Sequence, residues 1–480
     1  MSGKIWYKFC EIANRVGDKV AIIDAASGQN ITYRELKRLA SNFADALKER
    51  DEYGIAFVGE PDTAALPLIL ACAAAGRCFV PLSAQEPEGR LLEILSYSPA
   101  PLLVANTKGL TGLTVVDIGA PLSTLGLEWQ IIEGRGNTKD KLPFIVTHSS
   151  GSTGRPKAVA FTQDTKLKRT YQSIKLFDVT DADMVLCASP LHHSLGQRHF
   201  FVSILTGATL VKVHPFNSDL WVKSVSKYGI TFAIPVSTHL KILQAQLLRN
   251  WEILSSFRCI VTSSAPAEPD FKRAILEDAS FSFWEIYGMS ETACATAVRY
   301  QKGDDVGHLG LAVEGSAIRI TGNNMDGIGE IEVFSDCICD GYWGDLDRWA
   351  NALTKDGYFR SGDLGRLDAL GNLIYIGRLN ESFESGGLIL FPTEIEIAII
   401  ELPQISDCVA FGLPDPVFGN LVSLAYIAEG ILDERELVEF ARSKLPKYLW
   451  PTRLFRCDNF PLLSSGKVDR RALVKRYLDV

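Results

Sequence analysis

Apolar and polar residues follow a strand–helix–strand rhythm in the first part of the chain. Residues 31–48 carry apolar side chains at helical spacing, with Thr32 as the predicted N-cap. A short apolar run at 54–58, a wholly apolar segment at 64–76 and a run ending at Leu82 then predict a strand, a buried helix and a second strand. This order favours α/β packing on a parallel sheet.

The rhythm continues through five apolar runs that each end in small or polar residues. These runs are FIVTHSSG, DMVLCASP, GATLVKVH, GITFAIPV and FRCIVTSS. In sheets of this kind the ligand crevice lies at the carboxyl ends of the parallel strands. We therefore expect functional residues in the loops that follow these runs.

The pattern changes twice towards the C-terminus. From about Ala317 strands alternate with glycine-rich turns, which predicts a small β-rich part. After Arg378 a new set of elements comprises EIEIAIIELP, DCVAFGLPD, LVSLAYIAEG and the helical segment DERELVEFARSKL. We predict an α/β fold with a large N-terminal domain at 1–377, a connection at 378–380 and a small α+β domain at 381–480.

Composition narrows the class of protein. The 480 residues include 47% hydrophobic and 22% charged residues, with a formal net charge of −8, which is an ordinary soluble balance. No basic run indicates a nucleic-acid partner, and the 64–76 segment is too short for a membrane span. No secretory signal and no CxxC pair stand out, so we expect a cytoplasmic protein. Cys337 and Cys339 would share one face of a strand as buried thiols.

The strongest chemical signal is SSGSTGRPK at 149–157, directly after the apolar run PFIVTH. Glycines and hydroxyl residues in such a loop direct backbone N–H groups and hydroxyls towards one point, and Lys157 adds a mobile positive charge. This combination suits a polyphosphate. The spacing differs from that of the kinase-type GxxxxGK[ST] loop, and the simpler alternative is a flexible surface turn.

Three further stretches carry candidate chemistry, namely YGMSET at 287–292, GYFRSGDLG at 357–365 and SSGKVDRR at 464–471. Glu291 lies between hydroxyl residues, where a carboxylate can hold Mg²⁺ near phosphates. Asp363 lies in a glycine-flanked turn that suits a ribose. Taken alone, each stretch is also typical of a polar loop, a capping aspartate or a solvated lysine.

In this order the four stretches resemble the adenylate-forming superfamily of acyl-CoA synthetases, luciferases and peptide-synthetase adenylation domains. The resemblance covers nearly the whole chain and extends to PLHHSLG at 190–196, SSAPA at 263–267 and GRLNESFESGGLILFPTEIE at 377–396. It implies an ATP-dependent ligase that activates a carboxylic acid as its acyl-adenylate and releases pyrophosphate.

The resemblance also implies a binding site for ATP and Mg²⁺. The residues implied for the phosphates are Ser150, Gly151, Ser152, Thr153, Gly154 and Lys157. Those implied for the adenine are Ser264, Ala265, Pro266 and the stacking ring of Tyr287. Asp363 and Arg378 are implied for the ribose. Thr292 is implied for a phosphate and Glu291 for Mg²⁺, as its metal ligand.

By the same resemblance, Asn380 is the hinge of a mobile C-terminal lid that carries the catalytic Lys467. This lysine would lie between the substrate carboxylate and a ribose oxygen, where a cation offsets the repulsion between two anions. A mobile lid would withdraw it after the first step and leave the adenylate open to a second acceptor.

The sequence says less about the part of the site that binds the acid than about the part that binds ATP. Relatives that activate amino acids usually carry an Asp in the segment at 191–194; none occurs here, so a typical α-amino acid is disfavoured. His193 resembles the acid-facing histidine of acyl- and aryl-CoA ligases. The predicted pocket walls are Val236, Ser237, Ser263, Gly288 and Cys294. These small or medium side chains suit a flat aromatic or modest acyl group, and a metal site at His192 and His193 would lack a third ligand.

Coenzyme A is the expected acceptor, because stand-alone members most often form thioesters. The alternatives are the phosphopantetheine of a separate acyl carrier protein and an amine. Glu384 and Asn380 depart from the residues usual in the family, and both affect the second half-reaction.

A catalytically idle nucleotide-binding homologue is the non-enzyme alternative. It is disfavoured because five expected residues are intact, namely Lys157, Glu291, Asp363, Arg378 and Lys467.

Overall fold

The computed structural model describes most of the chain. The described residues are 3–49, 53–59, 63, 65–98, 102–105, 114–116, 128–131, 143–149, 156–249, 251–322, 327–428, 430, 432–461 and 468–478. They divide into two compact units, one formed by 1–318 with 333–359 and the other by 319–332 with 360–480. The hinge predicted at 378–380 concerns motion between domains and stays a prediction.

The helices are α1 Lys4–Arg15, α2 Tyr33–Lys48, α3 Ala65–Ala75, α4 Glu88–Tyr97, α5 Gln163–Phe177, α6 Ser194–Thr206, α7 Ser218–Tyr228, α8 Ser237–Arg249, α9 Pro269–Asp278, α10 Leu346–Ala352, α11 Pro392–Ile399, α12 Glu434–Lys444 and α13 Arg470–Tyr477. Short 3₁₀ helices lie at Trp251–Leu254, Leu379–Glu381 and Lys447–Leu449. Within the described ranges, no helix has the length and apolarity that a membrane crossing requires.

The strands of the first unit and its border are β1 Val20–Asp24, β2 Asn30–Thr32, β3 Gly54–Val58, β4 Cys78–Leu82, β5 Leu102–Ala105, β6 Thr114–Val116, β7 Glu128–Ile131, β8 Ile145–Ser149, β9 Lys157–Phe161, β10 Met184–Cys187, β11 Thr209–Lys212, β12 Phe232–Ala233, β13 Cys259–Thr262, β14 Ser282–Met289, β15 Ala293–Tyr300, β16 Leu311–Ala312, β17 Ser316–Thr321 and β18 Gly329–Ser335. Those that follow are β19 Phe359–Leu367, β20 Leu373–Arg378, β21 Phe383–Ser385, β22 Leu388–Leu390, β23 Ile405–Asp415, β24 Gly419–Ala428 and β25 Arg453–Arg456.

Two large sheets organise the first unit. One has the order β16-β15-β14-β13-β12-β10-β11-β1-β2, and its central pairs from β14 through β1 are parallel. The other has the order β6-β7-β5-β3-β4-β8-β9, with β3 parallel to β4 and β5. The predicted α/β class is confirmed, and each of the five apolar runs forms a strand that ends at a loop.

Helices α2 and α3 follow the apolar pattern closely. Thr32 caps α2 by accepting a hydrogen bond from the backbone N–H of Glu35, and the Glu35 carboxylate accepts one from the N–H of Thr32. The α3 segment is buried on all sides along 65–73, as its uniform apolarity predicts. The two helices pack against each other, and α3 also packs against β3 and β4.

Two segments differ from their local pattern. Isoleucines alternate with other residues in EIEIAII, yet this segment forms α11, in which Ile395 and Ile399 are buried and Ile397 is 51% exposed. The spacing of four between the buried pair is helical. Strand β18 ends at Ser335, so Cys337 and Cys339 do not share a strand face; they lie in the turn that follows it, and both are buried.

The remaining sheets are small. A four-stranded sheet has the order β17-β18-β19-β20, with β19 antiparallel to β20. Strands β21 and β22 form a hairpin, and a three-stranded sheet has the order β23-β24-β25. Helices α11 and α12 contribute to the apolar core beside this last sheet. This α+β arrangement agrees with the small C-terminal domain predicted from the sequence.

Candidate active site

The loop at 290–292 joins β14 to β15 in a tight turn. The backbone of Gly288 approaches the Ala293 carbonyl so closely that a Cβ at position 288 would lie 1.8 Å from that oxygen. Ala293 itself has φ of +65°, a conformation that non-glycine residues adopt rarely and often at functional sites. The turn therefore presents Glu291 and Thr292 from a constrained backbone.

Arg169 of α5 fixes this loop from the protein interior. Its guanidinium donates to the carbonyl oxygens of Ser290 at 2.7 Å, Glu291 at 2.5 Å and Cys337 at 2.8 Å. The N–H of Cys339 donates to the same Glu291 carbonyl at 2.7 Å. Burial lowers the pKa of Arg169 to about 10, so the side chain remains charged near neutral pH.

The carboxylate of Glu291 is 5% exposed and has two polar neighbours. Its Oε1 lies 3.3 Å from Lys157 Nζ and accepts a hydrogen bond of 2.8 Å from the Tyr342 hydroxyl. Tyr342 reaches this position because its backbone forms a bridge to Val159 of β9. Burial and the Glu291 carboxylate raise the pKa of Tyr342, so its hydroxyl remains a donor.

Thr292 is fully buried beside this carboxylate. Its backbone carbonyl accepts a hydrogen bond of 2.9 Å from Ser335 Oγ. Its own Oγ1 has no hydrogen-bond partner among the described residues, and buried hydroxyls in proteins are normally paired. An oxygen-rich anion would satisfy this hydroxyl, and a single carboxylate such as Glu291 suits Mg²⁺ that is shared with phosphates.

The predicted phosphate loop begins and ends on paired strands. In the antiparallel pair β8–β9, Ser149 lies opposite Lys157. Lys157 is thus the first residue after the loop and points to Glu291. The implied phosphate-binding residues Ser150, Gly151, Ser152, Thr153 and Gly154 lie outside the described residues.

The predicted adenine loop follows β13. Ser264 has φ of +81° and is exposed, as are Ala265 and Pro266. The loop is anchored at its far end, where the N–H of Ala267 donates to Glu285 Oε1 at 2.7 Å. Glu285 is in turn paired with the buried Lys272 at 2.8 Å. The role of this loop in adenine binding stays a prediction.

The predicted walls of the acid pocket form two backbone pairs. Val236 bridges Ser263, and the N–H of Ser237 donates to the Ser263 carbonyl at 3.2 Å. Gly288 lies opposite Cys294 in the β14–β15 pair, next to Tyr287 at a register shift. The structure thus brings together the members of each pair, and their role as pocket walls stays a prediction.

His193, predicted to face the acid, is the N-cap residue of α6, and its role at the acid end stays a prediction. Its ring centroid lies 4.4 Å from that of His192. Burial lowers the pKa of His192 to about 3, with a further contribution from His193. His192 is therefore neutral near pH 7.

Asp363 and Arg378 are brought together in the second unit. They lie opposite each other in the β19–β20 pair, and Arg378 Nε is 2.9 Å from Asp363 Oδ1. Asp363 is 2% exposed, and its N–H donates to Ser361 Oγ at 2.9 Å. Asn380 belongs to a 3₁₀ turn at Leu379–Glu381, and the predicted catalytic Lys467 lies outside the described residues.

Sequence reasoning missed the side chains that support the loop at 290–292. Helix α5 buries a polar face at helical spacing, which comprises Thr165, Lys166, Arg169, Thr170 and Ser173. An amphipathic helix normally buries its apolar face. Polar residues at helical spacing in a segment between two apolar strands were therefore the sequence feature that could have identified Arg169. No local pattern identified Tyr342, because its partner Glu291 is 51 residues away.

Two family models match the chain. The model described as AMP-binding enzyme matches residues 9–343, and the one described as AMP-binding enzyme C-terminal domain matches residues 394–467. Together they cover most of the sequence and leave the predicted hinge between them.

Curated relatives match over nearly the full length. The feruloyl-CoA synthase of an Amycolatopsis species is 26% identical over 469 residues, which cover 94% of each chain. The indoleacetate–CoA ligase of Aromatoleum aromaticum is 28% identical over 484 residues, which cover 93% of this chain and 94% of the relative.

Solved structures share the fold. The O-succinylbenzoate coenzyme A synthetase of Bacillus subtilis in complex with ATP and magnesium ion has a TM-score of 0.83 at 22% identity, with coverage of 98% and 99%. The amide bond synthetase McbA of Marinactinospora thermotolerans has a TM-score of 0.80 at 21% identity, with coverage of 98% and 100%.

The hydroxyl of Tyr342 provides a test of the site around Glu291. Tyr342→Phe keeps the ring beside Lys157 but removes the hydrogen bond to Glu291. We expect the KM for MgATP to rise about 10-fold, since a hydrogen bond to a charged acceptor is lost. Tyr171→Phe, at a ring that is 44% exposed, is the control. An unchanged KM in Tyr342→Phe would show that Glu291 needs no support from this hydroxyl.

Proposed function

Since the chain belongs to the family of AMP-binding enzymes and is an ATP-dependent, AMP-forming acid ligase, we propose that it activates a small acyl or aryl carboxylic acid and transfers it to coenzyme A. The observation that carries the choice of acceptor is the near full-length match to CoA-forming relatives. The substrate acids of those relatives are aryl acids, which agrees with small predicted pocket walls.

The first half-reaction forms the acyl-adenylate. A carboxylate oxygen of the acid attacks the α-phosphorus of ATP, and the bond between that phosphorus and the bridging oxygen to the β-phosphate breaks. Pyrophosphate leaves with the electron pair, and Mg²⁺ held by Glu291 would offset negative charge on the phosphates. In the second half-reaction the sulfur of coenzyme A attacks the acyl carbon, and the bond from that carbon to the phosphate oxygen breaks. AMP leaves with the electron pair, and the thiol proton is released.

Three described residues support binding of the phosphates and Mg²⁺. Lys157 contributes a cation, the buried Thr292 hydroxyl contributes a donor, and Glu291 contributes one carboxylate. The β8–β9 pair positions Lys157, Arg169 holds the backbone of Glu291, and Ser335 holds the backbone of Thr292. Such preorganised groups stabilise developing charge without a cost of reorganisation.

A second candidate acceptor is an amine or the phosphopantetheine of a separate carrier protein. It is favoured by the departures from the family pattern at Glu384 and Asn380. Glu384 is exposed on the β21–β22 hairpin, and the negative charge there differs from the lysine found in several family members. The acceptor is therefore the part of the proposal that the first experiment must decide.

The deciding experiment measures pyrophosphate release from ATP and Mg²⁺ with a panel of aryl, acyl, β-amino and α-amino acids. Each acid is supplied alone, with coenzyme A and with an amine. We expect acid-dependent release that coenzyme A accelerates, together with a thioester product. Acceleration by the amine alone, with an amide product, would replace the CoA assignment. Absence of release with every acid would contradict acid activation.

Lys467 is proposed as the lysine that assists adenylate formation. We expect Lys467→Ala to lower the rate of pyrophosphate release at least about 100-fold, because one preorganised cation at the transition state is lost. ATP affinity and thermal stability should change little. Lys475→Ala, at an exposed lysine of α13, is the matched control. Near wild-type release by Lys467→Ala would remove this lysine from the chemistry.

Asp363 is proposed as the residue that binds the ribose hydroxyls. We expect Asp363→Ala to weaken ATP binding by about 2–4 kcal/mol, since a charge-assisted pair of hydrogen bonds is lost. The KM for ATP should rise while the KM for the acid changes little. Asp363→Asn keeps the shape and should lose less affinity. Unchanged ATP kinetics in both variants would exclude Asp363 from the ribose site.

A further inference from the structure

Arg198 occupies an exceptional position on helix α6. Every other residue from Gly196 to Leu205 is buried, whereas Arg198 is half-buried. Ser194, four residues earlier and therefore on the same face, is also only partly buried. This face of α6 thus borders a space that water can reach. His193, which the family resemblance assigns to the acid end of the site, lies at the start of the same helix.

Two basic side chains of α5 lie near Arg198. Burial lowers the pKa of Lys166, with further contributions from Arg169 and Arg198, and burial also lowers the pKa of Arg169, with a contribution from Arg198. Lys166 is buried over the Phe161 ring, with its Nζ 3.8 Å from the ring centroid. Its Nζ also donates to Gln197 Oε1 at 2.5 Å, next to Arg198 in the chain. The thiols of Cys294 and Cys337 also lie within electrostatic range of Arg198, and burial raises the pKa of both thiols, so they remain neutral.

Arg198 forms no hydrogen bond and no ion pair with the residues that the structure describes. Arg169 differs in this respect, because its guanidinium donates to three carbonyl oxygens. A half-buried guanidinium near the cation of Arg169 is costly unless an anion pairs with it. Helix α5 connects this part of α6 to Cys294, a predicted wall of the acid pocket, because Lys166 donates to Gln197 and Gln172 donates to the Cys294 carbonyl at 3.1 Å. This placement indicates that the acid supplies the anion.

The reacting carboxylate of the acid is a poor counterion for this purpose. It loses its charge when it forms the mixed anhydride with AMP, so an arginine paired with it would stabilise the free acid and oppose the reaction. A second carboxylate keeps its charge in the acid, in the adenylate and in the final product. Pairing with such a group strengthens binding uniformly and lowers the KM without a loss of kcat.

We propose that Arg198 determines specificity by binding a second carboxylate of the substrate, and that this enzyme activates a dicarboxylic acid at one of its two ends. This inference rests on the proposed acid-activating function. The guanidinium would bind the distal carboxylate through two parallel hydrogen bonds, the geometry that arginine favours with carboxylates.

The test compares pairs of acids that differ only at the distal end. Each aryl or acyl dicarboxylic acid is matched with the monoacid in which a methyl group replaces the second carboxylate, and acid-dependent exchange of pyrophosphate into ATP is measured. We expect the wild-type enzyme to prefer the diacid. Arg198→Gln should raise the KM for the diacid about 10–100-fold, since charge-assisted hydrogen bonds are lost, and leave the monoacid unaffected.

Two further variants separate this role from a structural one. Arg198→Lys keeps the charge and should retain part of the preference for the diacid. Arg198→Glu reverses the charge and should favour an acid with a distal ammonium group. Lys223→Gln, at an exposed lysine of α7, removes the same charge elsewhere and should change neither KM. Thermal stability should not fall in Arg198→Gln, because the substitution removes a cation that interacts unfavourably with Arg169.

Equal use of diacids and monoacids by the wild-type enzyme would overturn the inference and leave acid activation intact. The same holds if Arg198→Gln raises the KM values of both acids alike, or if Arg198→Gln and Arg198→Glu leave the preference unchanged. Absence of exchange with every acid would overturn both this inference and the proposed function. Selective loss of the diacid in Arg198→Gln, with its partial recovery in Arg198→Lys, would support the assignment.

Discussion

The buried guanidinium of Arg169 holds the loop at 290–292 in the conformation on which the nucleotide end of the site depends. It satisfies three carbonyl oxygens at once, two of them in the loop and one at Cys337. Hydrogen bonds from a charged donor are about twice as strong as neutral ones. Because the backbone of Glu291 is fixed in this way, its carboxylate contacts Lys157 and Tyr342 at a small cost in conformational entropy.

The same requirement explains the unusual composition of α5. A helix between apolar sheets would ordinarily bury leucine and valine, but α5 buries lysine, arginine, threonine and serine. These groups pair with backbone carbonyls, with Gln197 and with the face of the Phe161 ring. The positive charge of Arg169 in the interior favours anions in this region, which agrees with the proposed binding of ATP phosphates and, by our inference, of the acid.

The proposed phosphate end and the proposed acid end of the site are formed by different residues. The proposed phosphate end comprises the β8–β9 pair and the strained turn at Ala293. The proposed acid end comprises small residues in two backbone pairs and the half-buried face of α6 at Ser194 and Arg198. Because these two sets of residues are different, we expect a substitution at Arg198 to leave the groups around Glu291 in place.

The sequence by itself determined the α/β class, the positions of the main strands and the order of the glycine-rich loops, because apolar periodicity and glycine-rich turns are local properties. It also identified Lys157, Glu291, Asp363 and Arg378 as candidates through the family resemblance. Only the tertiary structure decided that EIEIAII is a helix, since burial against its neighbours outweighed strand propensity. Only the fold brought Arg169 and Tyr342 to Glu291, across 122 and 51 residues, because a contact between distant segments leaves no periodic signal in either of them.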